Sequence, residues 1–161
     1  MRDELLDLLR ALDGIPQDPR YHPEGDALYH TLQVYQLALA DTDDPVMIAA
    51  ALLHDVGKAL RGPEHDLDGA ELLDGLVAPR VVWLVRHHLD LLRAPAQTRR
   101  RLRGTHRLRD LEQLRRWDLG GRSPHAEVCT PEDAIEHLMQ FADALSPDLT
   151  DPPHAQEELP R

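Results

Sequence analysis

Cysteine, aromatics, lysine and long apolar runs are all scarce in this chain. Cys129 is the sole cysteine, so no internal disulfide can form and nothing points to an oxidising compartment. One Phe, two Trp and three Tyr shift the core onto Leu, Ala and Val, a composition that suits packed helices better than sheets. No apolar run approaches the roughly 20 residues of a membrane span. The start, Met1-Arg2-Asp3-Glu4, is too acidic for a signal peptide, so a cytoplasmic protein is expected. Positive charge is short as well: eighteen basic residues face twenty-nine acidic ones, and the net charge of −11 argues against tight non-specific nucleic-acid binding. Lys58 is the only lysine. Ten of the eighteen basic residues lie between Arg93 and Arg122, including Arg99-Arg100-Arg101-Leu102-Arg103. That stretch reads either as a solvated helix face or as a positive rim that draws in anions.

The 161 residues suffice for one domain with its own core. Leu5, Leu6, Leu8, Leu9 and Leu12 mark an amphipathic helix, stopped by Gly14 and Pro16. Residues 15–26 read as loop, and helical spacing returns from Ala27 to Ala40. Asp44-Pro45 gives an N-cap and N1 pair for an apolar run through Leu60, which Arg61-Gly62-Pro63 breaks. Helices are expected from about Asp66 to Val77 and from Pro79 to Leu92, with one or two between Gln97 and Leu119. A last helix starts at Thr130-Pro131 and ends near Leu145. Residues 146–161 read as a proline-rich disordered tail. The expectation is an all-α protein, a single helical bundle of about six to eight helices over residues 1–145.

Within the apolar run sits Leu52-Leu53-His54-Asp55-Val56-Gly57-Lys58. A buried His beside a buried Asp is costly unless each has a partner, and a divalent cation suits both. His30 follows helical spacing with Val34 and Leu37; His54 and Asp55 follow Ala50, Ala51 and Leu52; His88 follows Val81, Leu84 and Val85; and Asp118 closes the stripe of Leu111 and Leu114. Four helices therefore aim a His or a carboxylate inward. Any one of these could be a satisfied core residue, but together they favour a metal over a metal-free polar network. A His/carboxylate set without thiolate fits Mn²⁺, Fe²⁺, Co²⁺, Ni²⁺ or catalytic Zn²⁺. Cys129 reads as a small core residue, and Trp83 and Trp117 as core rather than base-stacking platforms.

The order His30, His54-Asp55, Asp118 resembles the HD superfamily of metal-dependent phosphohydrolases. Tyr21-His22-Pro23-Glu24-Gly25-Asp26, Tyr29-His30-Thr31-Leu32, Glu64-His65, Arg86-His87-His88-Leu89 and Trp117-Asp118-Leu119-Gly120-Gly121-Arg122 narrow the match. They are similar to the HD domain attached to bacterial CCA-adding tRNA nucleotidyltransferases, over roughly residues 18–145. No nucleotidyltransferase head accompanies them, so a stand-alone HD domain is expected. The resemblance implies an all-helical HD fold and, among activities, 2′,3′-cyclic phosphodiesterase, 2′-nucleotidase and general phosphatase.

On this resemblance His30, His54, Asp55 and Asp118 are the metal ligands. His65 and His88 either join Asp55 at a second ion or hydrogen-bond the phosphate, with His87 as the second choice after His88. Lys58 reads as a phosphate contact and catalytic residue beside Asp55, or as a favourable cation at a helix end. Arg122 reads as a further phosphate contact or as an exposed loop arginine. His22 and Glu24-Gly25-Asp26 are expected to shape a loop over the site rather than to touch substrate. The expected cofactor is one or two divalent transition-metal ions, Mn²⁺ favoured. The expected reaction is in-line opening of a 2′,3′-cyclic phosphate by water that the metal acidifies. The substrate would be a small nucleotide or the cyclic-phosphate end of an RNA. A nucleoside mono- or triphosphate phosphohydrolase, and a non-catalytic module that binds tRNA or a protein, are the alternatives.

Overall fold

The computed structural model describes residues 1–150. Its helices are α1 (Arg2–Arg10), α2 (Ala27–Asp41), α3 (Pro45–Leu53), α4 (His65–Leu73), α5 (Pro79–His87), α6 (Asp90–Arg93), α7 (Pro95–Arg101), α8 (His106–Gly120) and α9 (Pro131–Met139). Two 3₁₀ segments, Val56–Leu60 and Ala142–Leu145, complete the order. Among the described residues β structure is limited to one isolated bridge, Pro16 to Asp26. No helix there is long and apolar enough to cross a membrane. The all-helical expectation is met.

The start signals act as the sequence suggests. Asp44 accepts a hydrogen bond from the Val46 amide with Pro45 at the first helical position, and Thr130 does the same for Asp133 ahead of Pro131. Asp26 caps α2 through the Tyr29 amide. Each cap satisfies a backbone donor that the first turn leaves free.

α3 is the central helix. Met47 to Leu53 are buried without interruption, as expected of a helix apolar all round. It packs against α2, α5, α8 and α9. The amphipathic α1 closes the far side, burying Leu5, Leu6 and Leu9, while Arg10 pairs with Glu132 at 2.6 Å on the solvent edge. The buried end of α3 therefore delivers His54 and Asp55 to the middle of the molecule.

Several boundaries differ from the sequence reading, each for a local reason. The run through Leu60 is not one helix: α3 stops at Leu53 and the chain tightens into a 3₁₀ segment. Gly57 lies so close to α4 that an added Cβ would fall 2.0 Å from the His65 carbonyl oxygen and 2.5 Å from the Gly69 nitrogen. The helix expected to reach Val77 ends at Leu73, before Gly75 at φ +73°. The helix expected over Pro79–Leu92 breaks after His87 and resumes as α6. The last helix splits at Gln140 and Phe141. Leu37, counted on the inner face with His30, is 37% exposed, and that face is completed by Thr31, Val34, Tyr35 and Ala38. Trp117 is core, but Trp83 is only partly buried, with Arg107 4.3 Å above its ring. Cys129 is partly buried against the core. Of the expected tail, Ser146 to Leu149 form a turn; positions 151–161 lie outside the described residues.

Candidate metal centre

Five elements converge on one point. α2 brings His30 and the end of α3 brings His54 and Asp55. α4 starts with His65, the end of α5 supplies His88, and the last turn of α8 carries Asp118. His30, His54, Asp55 and His88 are buried, and the side chains of His65 and Asp118 are 19% and 15% exposed. The six residues singled out from the sequence for one or two metal ions are brought together.

Asp55 lies at the centre and its two oxygens face different partners. Oδ2 is 3.3 Å from His54 Nε2 and 3.8 Å from His30 Nε2. His30 Nε2 is 3.0 Å and His54 Nε2 4.0 Å from Asp118 Oδ1. On the other side, Oδ1 is 3.2 Å from His65 Nε2 and 3.6 Å from His88 Nε2. A cation with ligand bonds of about 2.1 Å places neighbouring donors about 3.0–3.4 Å apart, so both groups need little adjustment to hold one. The set also matches in chemistry: imidazole and carboxylate, no thiolate.

The outer face of each imidazole supports the same reading. His54 Nδ1 lies 2.9 Å from the Ala51 carbonyl and His88 Nδ1 lies 2.6 Å from that of Val85. A carbonyl can only accept, so each Nδ1 carries a proton, and in the neutral ring the lone pair is then on Nε2. Those Nε2 atoms are buried and have no hydrogen-bond partner, a costly state that a cation relieves. His30 Nδ1 is hydrogen-bonded to the Gly121 carbonyl at 2.8 Å, with Glu24 Oε1 2.9 Å away. Gly121 is needed there, because a Cβ would meet Val34 Cγ2 at 2.6 Å.

The electrostatics follow from burial and neighbours. Burial alone would raise the Asp55 carboxyl, but His54, Lys58 and His65 draw it well below the usual carboxylate range. Burial likewise opposes ionisation of Asp118, and His30 and His54 outweigh it, so this carboxyl is also lowered. The His88 imidazole is lowered by burial, which keeps it neutral, as a ligand must be. His54 is raised: the neighbouring carboxylates of Asp55 and Asp118 overcome its burial.

Asp55, His65, His88 and Asp118 line a cavity of about 890 Å³ whose wall also includes Tyr21, His22, Lys58, Arg61, Arg115 and Arg122. Lys58 Nζ donates to Asp55 Oδ2 at 2.6 Å and to Gln17 Oε1 at 2.5 Å, so the lysine belongs to the site rather than merely capping a helix. Arg122 is 3.6 Å from Asp118 Oδ1 and donates to the Tyr21 carbonyl at 2.9 Å; it is held on the rim, not free in a loop. His87, the second choice, pairs with Asp90 at 2.9 Å and stacks on Trp83, away from the cavity wall.

The expectation for His22 and Glu24 needs correction. Glu24 is buried, and Oε1 is hydrogen-bonded to His22 Nδ1 at 2.7 Å and lies 2.9 Å from His30 Nδ1. It is a carboxylate behind a candidate ligand, not only a turn former. The turn residues around it masked that role; its spacing from His30 offered no helical clue. Gln17, thirteen residues before His30 in an irregular loop, carried no signal at all.

The HD domain family model matches residues 27–148. The chain is 42% identical over 106 residues to a multifunctional CCA protein of Halorhodospira halophila, covering 56% of this chain and 26% of that protein. It is 52% identical over 56 residues to a multifunctional CCA protein of Methylococcus capsulatus, covering 35% of this chain and 13% of that protein. The chain thus matches only a minor part of either relative's length. With a family match over most of its residues and donor clusters that suit a divalent metal, the chain belongs to the HD domain family, within the superfamily of metal-dependent phosphohydrolases.

Proposed function

We propose that this chain is a phosphodiesterase that opens 2′,3′-cyclic phosphates to a single nucleoside monophosphate isomer. His30, His54, Asp55 and Asp118 would hold one divalent ion, with Mn²⁺ the first choice. His65 and His88 would join Asp55 at a second. One observation carries the reading: Asp55 presents opposite oxygens to two sets of imidazoles on the floor of a cleft with a cationic wall. The cyclic substrate comes from the resemblance of the motifs, and the cavity is consistent with it, being far larger than a phosphate needs and lined also by Ile15, Tyr21, Leu89, Leu92 and Leu119.

A divalent ion held there supplies positive charge to the phosphate oxygens and lowers the pKa of a bound water. The residues supply placement. Lys58, fixed between Gln17 and Asp55, offers a compact charge to a non-bridging oxygen as negative charge builds in the transition state. Arg122, anchored on the Tyr21 carbonyl, offers a second contact from the rim. The Nδ1 protons of His54 and His88 stay on backbone carbonyls, so both rings keep one orientation throughout. A phosphate held by these groups presents one ester oxygen opposite the attacking water, so a single isomer is released.

The test incubates the purified protein with Mn²⁺, Co²⁺, Ni²⁺ or Zn²⁺ and a 2′,3′-cyclic nucleotide, then separates the products by chromatography. Ring opening to one isomer is expected. No opening with any metal, alongside phosphate release from 5′-nucleotides, would transfer the assignment to a nucleotide monoesterase. Inertness toward every phosphoester, with metal bound, would leave a binding module.

A further inference from the structure

A second concavity of about 610 Å³ is lined by Leu91, Arg99, Arg109, Arg115, Arg116 and Leu119, among others. Arg115 and Leu119 line the catalytic cavity too, so the two form one track along α8. Asp118 lies in the last turn of that helix and Arg109 in its first. From Arg115 back to Arg109 the track runs about 9 Å at 1.5 Å per residue, the length of two to three stacked nucleotides at about 3.4 Å each.

Three of the four arginines in this track make no hydrogen bond or ion pair among the described residues, though Arg116 lies near enough to Asp41 to help lower its carboxyl. Arg99 pairs with Glu112 at 3.3 Å, both side chains being about half exposed. Arg109, Arg115 and Arg116 make no hydrogen bond and no ion pair among the described residues. Arg109 and Arg116, seven residues apart, share one face of α8 with Arg115 beside it, and a polyanion lying along the groove would meet all three charges. The acidity of the whole chain does not oppose this, because it lies elsewhere: residues 93–122 hold ten of the eighteen basic residues and three of the twenty-nine acidic ones. An acidic remainder repels nucleic acid from every other face and so guides a strand to this one. Where the cavities meet, Leu119 is 48% exposed and offers an apolar surface to a base.

We infer that the groove along α8 is a subsite for the nucleotides preceding the reacting end, so that the substrate class is the 3′ end of an RNA strand rather than a free mononucleotide. This inference rests on the proposal that the site opens 2′,3′-cyclic phosphates. Of the two substrates expected from the sequence, a small nucleotide or the cyclic-phosphate end of an RNA, it selects the second.

The test compares the metal-loaded protein on a 2′,3′-cyclic mononucleotide and on a tetraribonucleotide ending in a 2′,3′-cyclic phosphate. A double variant, Arg109→Glu with Arg116→Glu, serves as the probe; both side chains are exposed, and an unchanged melting temperature checks its fold. The tetranucleotide should show kcat/KM at least tenfold higher than the mononucleotide at low salt. The double variant should lose that advantage while mononucleotide turnover stays within twofold. Fluorescence anisotropy of a labelled tetranucleotide bearing a 3′-phosphate gives a readout that needs no catalysis: binding should weaken with salt, and the slope should fall by about 1.4 in the variant if two phosphate contacts are lost. Equal kcat/KM for both substrates, insensitive to the variant, overturns the subsite and leaves the cyclic phosphodiesterase standing. If no cyclic ester is opened, the activity proposal fails, and anisotropy decides the groove alone: salt-sensitive binding lost in the variant sustains it, and unchanged or absent binding overturns it.

Discussion

Gly57 couples the stability of the bundle to the geometry of its metal centre, and Gly57→Ala is the perturbation that exposes the link. The new methyl carbon would lie 2.0 Å from the His65 carbonyl oxygen, 2.5 Å from the Gly69 nitrogen and 2.9 Å from the His65 carbonyl carbon. All three are backbone atoms, so no rotamer change relieves the clash. The 3₁₀ segment and the start of α4 must separate by more than 1 Å to restore ordinary contact at about 3.4 Å. Overpacking of this kind costs about 1–3 kcal/mol, occasionally more; at about 2–4 °C per kcal/mol for a protein of this size, the melting temperature should fall by about 2–12 °C. The displaced residue is His65, whose Nε2 lies 3.2 Å from Asp55 Oδ1. Metal binding at the His65 side should weaken, while the His30, His54 and Asp118 side keeps its ion. Gly69→Ala is the graded control: its methyl would meet Gly57 N and Val85 Cγ1 at 3.2 Å, so its loss should be clearly smaller. Thermal melts with metal stoichiometry by elemental analysis provide the assay. A Gly57→Ala protein with parental melting temperature and full metal content would refute the close-approach argument.

His54→Ala or Asp55→Ala should abolish metal retention and phosphohydrolysis in a protein that stays folded by circular dichroism. Lys58→Ala should retain metal but lose turnover by about 10²-fold, the loss expected for one transition-state charge contact, and Lys58→Arg should recover little because a planar fork does not replace a point charge; unchanged kcat would demote the lysine. Glu24→Gln should weaken metal binding by about 10–100-fold, as loss of a carboxylate behind a ligating histidine does, measured by competition with a fluorescent chelator. Asp41 accepts from Trp117 Nε1 at 2.9 Å and Gln113 Nε2 at 3.2 Å, and these bonds hold its carboxyl below the ordinary value. A carboxyl lowered on folding stabilises above its unfolded pKa, and that contribution is lost as the pH falls through the folded value. Asp41→Asn should therefore reduce the drop in urea midpoint between pH 6 and pH 3.

The sequence exposed those features that repeat or punctuate. Helical spacing placed His30, His54, Asp55, His88 and Asp118 facing inward, and all five converge. Proline and capping residues marked the starts of α3 and α9. Helix ends were less legible, because they depend on tertiary approach: nothing within Val56–Leu60 announces that Gly57 must press on α4. Residues that act from irregular chain were hidden for the same reason. Glu24 and Gln17 reach the site only once the loop 15–26 folds back, pinned by the Ala27 amide on the Ile15 carbonyl and the Gln17 amide on the Gly25 carbonyl.

The single lysine follows from how crowded Asp55 is. His54, Lys58 and His30 all surround its Oδ2, at 3.3, 2.6 and 3.8 Å, and a carboxylate oxygen has two lone pairs. An ion held by His30 and His54 would take one of them, which would leave the other for Lys58. An ammonium suits that arrangement, since the third proton, beyond those given to Asp55 and Gln17, is left to turn toward a phosphate. A guanidinium would bring a rigid plane of donors suited to both oxygens of the carboxylate at once, and would compete with His65 and His88 for Oδ1. Arginine serves at the rim, where Arg122 reaches Asp118 Oδ1 at 3.6 Å and the Asp118 backbone carbonyl at 3.4 Å. At the centre the geometry requires a cation that binds one oxygen and leaves the other to the histidines, which is the chemistry of lysine.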